Sequence, residues 1–306
     1  MVLPFLTGCA GGWSWRPRPR VLPPSANLAQ IIEVVNRNSA RVVSLKATGR
    51  INSPALPVSL SADIALQRSH NLRVRASSLL GPEFDLGSND QHFWVWVKRG
   101  QPPAVYFCRH DEFAVSPARH VVPVDPTWMI EAFGLASFDP RDSHQGPAQV
   151  GQGRLRIESV RQSAVGPVTK VTIVDEKYGD VLEQHVYDSQ QRLVASALTS
   201  KHQLDPASGA WLPRRIDIRW PTTQVELQID LANLEVNTLD ASSTALWTKP
   251  QYPGYADFNL GDPNLRLGPP AGSLAPAPTA TSRTAPVQPT VANMPPRRGI
   301  VPPRRR

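Results

Sequence analysis

Cysteine is almost missing from this chain. Cys9 and Cys108 are the two among 306 residues. They lie too far apart for a metal-ligand spacing, and two thiols cannot staple a small disulfide scaffold. Long apolar runs are missing as well. "VVNRNSARVV" and "FWVWVK" are too short or too polar for a membrane-spanning helix. Acidic residues are absent from 263–306, which carries seven arginines. The remaining chain holds 26 basic and 25 acidic residues, so the excess of positive charge describes a tail and not a basic folded surface. A nucleic-acid groove in the folded part is therefore not expected.

Catalytic signatures are lacking too. No HExxH, HxH, GxSxG, GxGxxG or Walker loop occurs. The seven histidines (His70, His92, His110, His120, His144, His185 and His202) form no cluster with metal spacing. "CRHDEF" at 108–113 groups Cys108, His110, Asp111 and Glu112, and reads as a strand end turning into a polar loop. Asp85 and Asp90 in "FDLGSND" suit local turn bonding, and Asp175 and Glu176 beside a hairpin suit solvation. No enzyme activity and no metal is expected from these patterns.

What is present is unevenly spread. Sixteen of the 32 prolines lie in 1–24 and 263–306, so the folded part is expected between them. Three segments follow: a leader and Pro-rich tether at 1–24, a folded domain at 25–250, and a Pro/Arg-rich tail at 251–306 expected to be disordered. Within the domain, Ser25 and Asn27 offer helix N-caps. Leu28, Ile31, Ile32 and Val35 recur at helical spacing, predicting a helix over 26–41. The period then changes to two. Leu60, Ala62, Ile64 and Leu66 alternate with Ser61, Asp63, Ala65 and Gln67, and Leu72, Val74 and Ala76 alternate with Arg73, Arg75 and Ser77. These are half-exposed antiparallel strands. Asp125-Pro126 opens a second helix whose apolar side is Met129, Ile130 and Phe133. After a polar loop, "FDPRDSHQGPAQVG", strands resume to about 236. "VYFCRH" places Cys108 at a buried strand position. The prediction is a mainly β, α+β chain of about eleven strands and two helices. A doubly wound parallel sheet is excluded because helices do not alternate with strands.

Leu6-Thr7-Gly8-Cys9 resembles the cleavage motif of a bacterial lipoprotein signal. The resemblance implies diacylglycerol on the Cys9 thiol, with "AGGWSWRPRPRVLPP" as a flexible tether. The other reading is a chance match in a disordered leader. Only Met1–Phe5 precede the motif, shorter than such signals, which points to an upstream start or a truncated sequence.

The layout "LAQIIEVVNRNSARVVSLKATGRI" (28–51), "VSLSADIALQRSHNLRVRAS" (58–77) and "GPEFDLGSNDQHFWVWVK" (81–98) resembles the LolA/LolB-like family of lipoprotein carriers and receptors. That resemblance implies a curved, incompletely closed antiparallel barrel covered by an N-terminal and a central helix. Its concave face binds acyl chains of lipoproteins or lipids, with no catalysis and no cofactor. Expected cavity-lining residues are Leu60, Ile64, Leu66, Leu72, Val74, Trp94, Trp96, Trp128, Met129 and Phe133; ordinary core is the alternative for each. The resemblance also implies a monomer held by its lipid in the outer membrane, facing the periplasm. A scaffold lipoprotein with a packed core and a partner-binding basic tail is the competing reading. A filled interior would favour it.

Overall fold

The computed structural model describes residues 17–68, 70–113, 115–116, 126–163, 166–262 and 264. Cys9, Asp125 and the arginines of the tail lie outside the described residues.

Helix α1 runs Leu28–Ala40. Asn27 caps it. Its side chain accepts from the Gln30 amide at 2.9 Å, and the Gln30 side chain accepts from the Asn27 amide at 3.0 Å. This reciprocal pair satisfies two amide donors that a helix start leaves over. Ile31 and Val35 are buried one turn apart, as the apolar spacing requires.

The strands in chain order are β1 Ser44–Asn52, β2 Leu60–Gln67, β3 Asn71–Ser78, β4 Gly81–Ser88, β5 His92–Val97 and β6 Ala104–Arg109. A short α2, His110–Phe113, follows β6, and α3, Pro126–Ile130, leads into a π turn at Glu131–Leu135. Then come β7 Ser143–Gln149, β8 Arg154–Ser163, β9 Gly166–Asp175, β10 Val181–Tyr187, β11 Leu193–Ser200, β12 Gln203–Leu204, β13 Trp211–Leu212, β14 Arg215–Trp220, β15 Val225–Val236 and β16 Ala256–Asn259.

Fourteen of these strands form one sheet in the order β16-β6-β5-β4-β3-β2-β1-β15-β14-β11-β10-β9-β8-β7. β1 joins the two halves by pairing with β2 on one side and β15 on the other. The two end strands do not pair with each other, so the sheet is not closed. β12 and β13 form a separate two-stranded ribbon. Every pairing is antiparallel except β16 beside β6.

Three expectations are corrected. The main sheet has fourteen strands against the eleven or so expected, because "SHQGPAQ" forms the edge strand β7 instead of a polar loop and β16 supplies the other edge. The fold does not fade after Pro250, since Tyr252 and Tyr255 pack on the sheet and β16 extends it. The fold also begins before residue 25. Leu22 is buried against α1, and the Val21 and Leu22 amides donate to the Lys177 carbonyl.

The core lies on one face of the sheet, here the inner face. α1 packs there over β8–β10 through Ile31, Val35, Ile157, Val174 and Val181. α3 and the π turn pack over β2, β3, β11 and β14, with Trp128, Met129, Ile130, Ala132, Phe133 and Leu135 in one buried cluster with the strand residues. Gly134 in this turn has φ 92°, and a Cβ there would meet the Pro213 ring at 2.4 Å. Only glycine fits both the conformation and the approach.

Candidate functional site

Period-two alternation sets the inner face. In β2 and β3, Ile64 faces Val74 and Leu66 faces Leu72 across the ladder. Eight of the ten residues expected to line a hollow meet in one cluster on this face: Leu60, Ile64, Leu66, Leu72, Val74, Trp128, Met129 and Phe133. All are buried. The side chains of α3 and the π turn fill the space in front of the strands, so in this structure the eight pack against each other. Among the described residues, a cavity of about 10 Å³ lies elsewhere, between α1, the π turn, the β9–β10 turn and Trp211. That is room for roughly one water molecule and not for an acyl chain.

Trp94 and Trp96 do not join the eight. Within "HFWVWV", Phe93 and Val95 take the inner side: Val95 is opposite Leu86, which is opposite Val74. The two tryptophans therefore point to the other face, where they cluster with Val105, Phe107, Tyr252 and Tyr255. The expectation that they line the same hollow is corrected. A run apolar on both faces does not tell which parity is inner.

The segment 246–255 crosses this outer face as a strap before β16 joins the sheet edge. Arg73 donates to the Leu246 and Thr248 carbonyls at 3.0 and 2.9 Å and to Asp85 at 2.6 Å. The Tyr252 hydroxyl donates to the same carboxylate at 2.7 Å. Burial, with Asp85 beside it, raises the Tyr252 pKa. Gly87 lets the sheet accept this packing, because a Cβ there would lie 2.0 Å from the Trp94 ring. A glycine inside a strand is the sequence signal for such close approach.

The inner face is not wholly covered. Phe84 stands opposite Val97 and Leu86 opposite Val95. Phe84, Leu86 and Val95 are half-buried and Val97 is exposed. The β3–β4 turn, at the same end as the Phe84–Val97 pair, presents Leu79 at 106% and Leu80 at 80% exposure. Two adjacent leucines held fully in water cost free energy without a structural return. The turn is nonetheless well braced. Ser78 donates to Glu83 at 2.8 Å, Lys98 donates to Glu83 at 3.1 Å, and the Leu80 amide donates to the Ser78 hydroxyl at 3.1 Å. The bonds from Ser78 and Lys98 hold the Glu83 carboxyl below its usual range.

"CRHDEF" assembles no reactive centre. The Cys108 thiol donates to the Arg109 carbonyl, Asp111 and Glu112 pair with Arg109, and His110 contacts the Asn89 carbonyl. Burial, reinforced by Glu112 and Asp111, pushes the thiol up to about 11, the opposite of an activated thiolate. Among the described residues, no group of three or more His, Cys, Asp or Glu side chains is placed to hold a metal, and no helix is long and apolar enough to cross a membrane.

Sequence comparison matches no family model and no curated protein. Structural comparison finds loose likenesses, of which three follow. A domain described as an outer membrane lipoprotein-sorting protein domain, from Vibrio parahaemolyticus, is 12% identical with a TM-score of 0.49, covering 72% of this chain and 100% of that one. A LolA superfamily protein from Nitrosomonas europaea is 11% identical with a TM-score of 0.45, covering 71% and 97%. A DUF1329 family protein from Desulfovibrio piger is 14% identical with a TM-score of 0.46, covering 72% and 98%. The second belongs by its description to the family that the sequence layout resembles, and the first is described by lipoprotein sorting. At these identities and scores no function passes from them to this chain.

Proposed function

We propose that this chain is a non-catalytic, lipid-anchored envelope protein that takes up acyl chains of lipoproteins or lipids against the inner face of its sheet. The observation that carries this reading is the exposed Leu79–Leu80 turn, braced in place beside the partly covered apolar strip Phe84, Leu86, Val95 and Val97. Together they offer a greasy path from solvent to the inner face. In the packed state the α3–π segment occupies the site. An entering acyl chain would replace its side chains, exchanging one set of apolar contacts for another at small net cost. The π turn is the irregular element on which such a movement would hinge. Diacylglycerol on Cys9 would hold the protein at the outer membrane, facing the periplasm, as a monomer.

Binding of a fluorescent fatty acid to the full chain tests the reading. Saturable binding that weakens in Leu79→Asp and Leu80→Asp, with an unchanged unfolding midpoint, is the expected result. No saturable binding would refute it.

The filled interior favours a second reading, a scaffold lipoprotein whose basic tail meets a partner. It requires the same binding experiment to give no signal.

A further inference from the structure

The tether is not free where it meets the domain. The Arg18 guanidinium lies over the Trp211 ring at 3.7 Å from its centroid and over the Tyr178 ring at 4.3 Å. It also pairs with Asp180 through both terminal nitrogens, Nη2 donating to Oδ1 at 2.9 Å. Both side chains of this pair are largely buried, at 14% and 9% exposure. Two aromatic faces and a bidentate carboxylate suit a guanidinium and would suit an ammonium poorly. Just beyond, Arg20 donates to the Leu22 carbonyl at 2.7 Å, and the Val21 and Leu22 amides both donate to the Lys177 carbonyl at 2.9 Å. Residues 18–22 are thus clamped to the β9–β10 turn.

Successive turns of an antiparallel sheet alternate between its two rims. The β9–β10 turn shares its rim with the start of β1, next to the end of α1, and with the β2–β3 turn. Arg68 there bonds the Ser39 carbonyl in α1 at 2.9 Å. The β3–β4 turn carrying Leu79 and Leu80 lies on the opposite rim. Eight residues, Ala10–Pro17, separate Cys9 from the clamp. Cys9 and Arg18 can then be at most about 30 Å apart.

We infer that Arg18 is an orientation lock. Resting on the lipid-anchored reading above, it makes the β9–β10 rim the surface that faces the bilayer leaflet holding the Cys9 lipid. The Leu79–Leu80 rim then points away from that leaflet, toward whatever delivers the acyl chain. Exposed Arg20 and Lys177 at the clamped rim carry the charge that anionic headgroups attract.

The test uses the full lipidated chain in phosphatidylethanolamine/phosphatidylglycerol vesicles. A fluorophore is attached at Lys177→Cys or at Leu80→Cys, and headgroup-labelled quencher lipid is added. The buried Cys108 does not compete for the label. Quenching at Lys177→Cys with none at Leu80→Cys is expected, with the contrast lost in Arg18→Ala and largely lost in Arg18→Lys. Faster hydrogen exchange at the Val21 and Leu22 amides in these variants, with the core amides unchanged, would show that the clamp opened while the domain stayed folded. Equal quenching at both positions would overturn the orientation alone. A contrast that survives Arg18→Ala would overturn the role of the clamp. Failure to float with the vesicles would overturn the anchored reading and this inference with it.

Discussion

Arg73 and Asp85 form a buried ion pair, Nη2 to Oδ2 2.6 Å, on the face of the sheet away from the main core. Asp85 is fully buried and also accepts from the Tyr252 hydroxyl, while Arg73 donates to two strap carbonyls. The pair therefore joins strands β3 and β4 to the strap. Removing one partner strands the other charge. We expect Asp85→Ala to destabilise the chain by about 3–5 kcal/mol in urea unfolding. The double change Arg73→Met with Asp85→Leu should recover much of that loss. Recovery no better than the single variant would show that the strap needs the charges themselves.

The central packing makes a second prediction. Phe133 is 1% exposed in the main cluster. Phe133→Ala should cost about 3–5 kcal/mol and open a hollow on the inner face. Under the acyl-binding reading the cost falls when a fatty acid is added, seen as a rise in melting temperature larger than that of the parent. A shift no larger than the parent's would mean that the hollow does not receive lipid.

The Leu79–Leu80 brace should depend on pH in one direction. The folded-state pKa of Glu83 is lowered, so its contribution is present above the ordinary carboxylate value of about 4.3. It is lost as pH falls through the lowered folded value. Protection of the Leu80 amide, its exchange rate taken relative to the intrinsic rate at each pH, should therefore fall only in acid, and Glu83→Gln should flatten that dependence. An exchange profile with its break near neutral pH would contradict the assignment.

Cys108 gives a simple marker of global opening. With its thiol held near 11 and fully buried, it should resist maleimide at neutral pH. It should become reactive at the same urea midpoint as the loss of β structure. Labelling well before that midpoint would show that β6 and its cover open separately.

Much of this architecture was legible where periodicity was clean. Leu28, Ile31 and Val35 announced α1, and the alternation Leu60, Ala62, Ile64, Leu66 gave the inner side of β2. Trp94 and Trp96 were misplaced because their strand is apolar on both sides, and the strap that covers them arrives from 150 residues downstream. Gly87 was the available clue to that close packing. β16 was hidden in a Pro-rich stretch because four residues suffice when β6 supplies the ladder. Arg18 lay in a segment that reads as tether by composition, and its cage is assembled from Tyr178, Asp180 and Trp211, which no local pattern brings together. The Leu79–Leu80 turn lay in plain view, but exposure of a leucine pair is a property of the folded chain.

Native mass spectrometry of the protein extracted from membranes bears most directly on acyl binding at the inner face. We expect a diacylglyceryl mass increment on the peptide carrying Cys9. We also expect a second, non-covalent lipid that is lost in Leu79→Asp. A protein that carries its own anchor and no second lipid, in every gentle detergent tried, would contradict acyl binding and leave the packed scaffold.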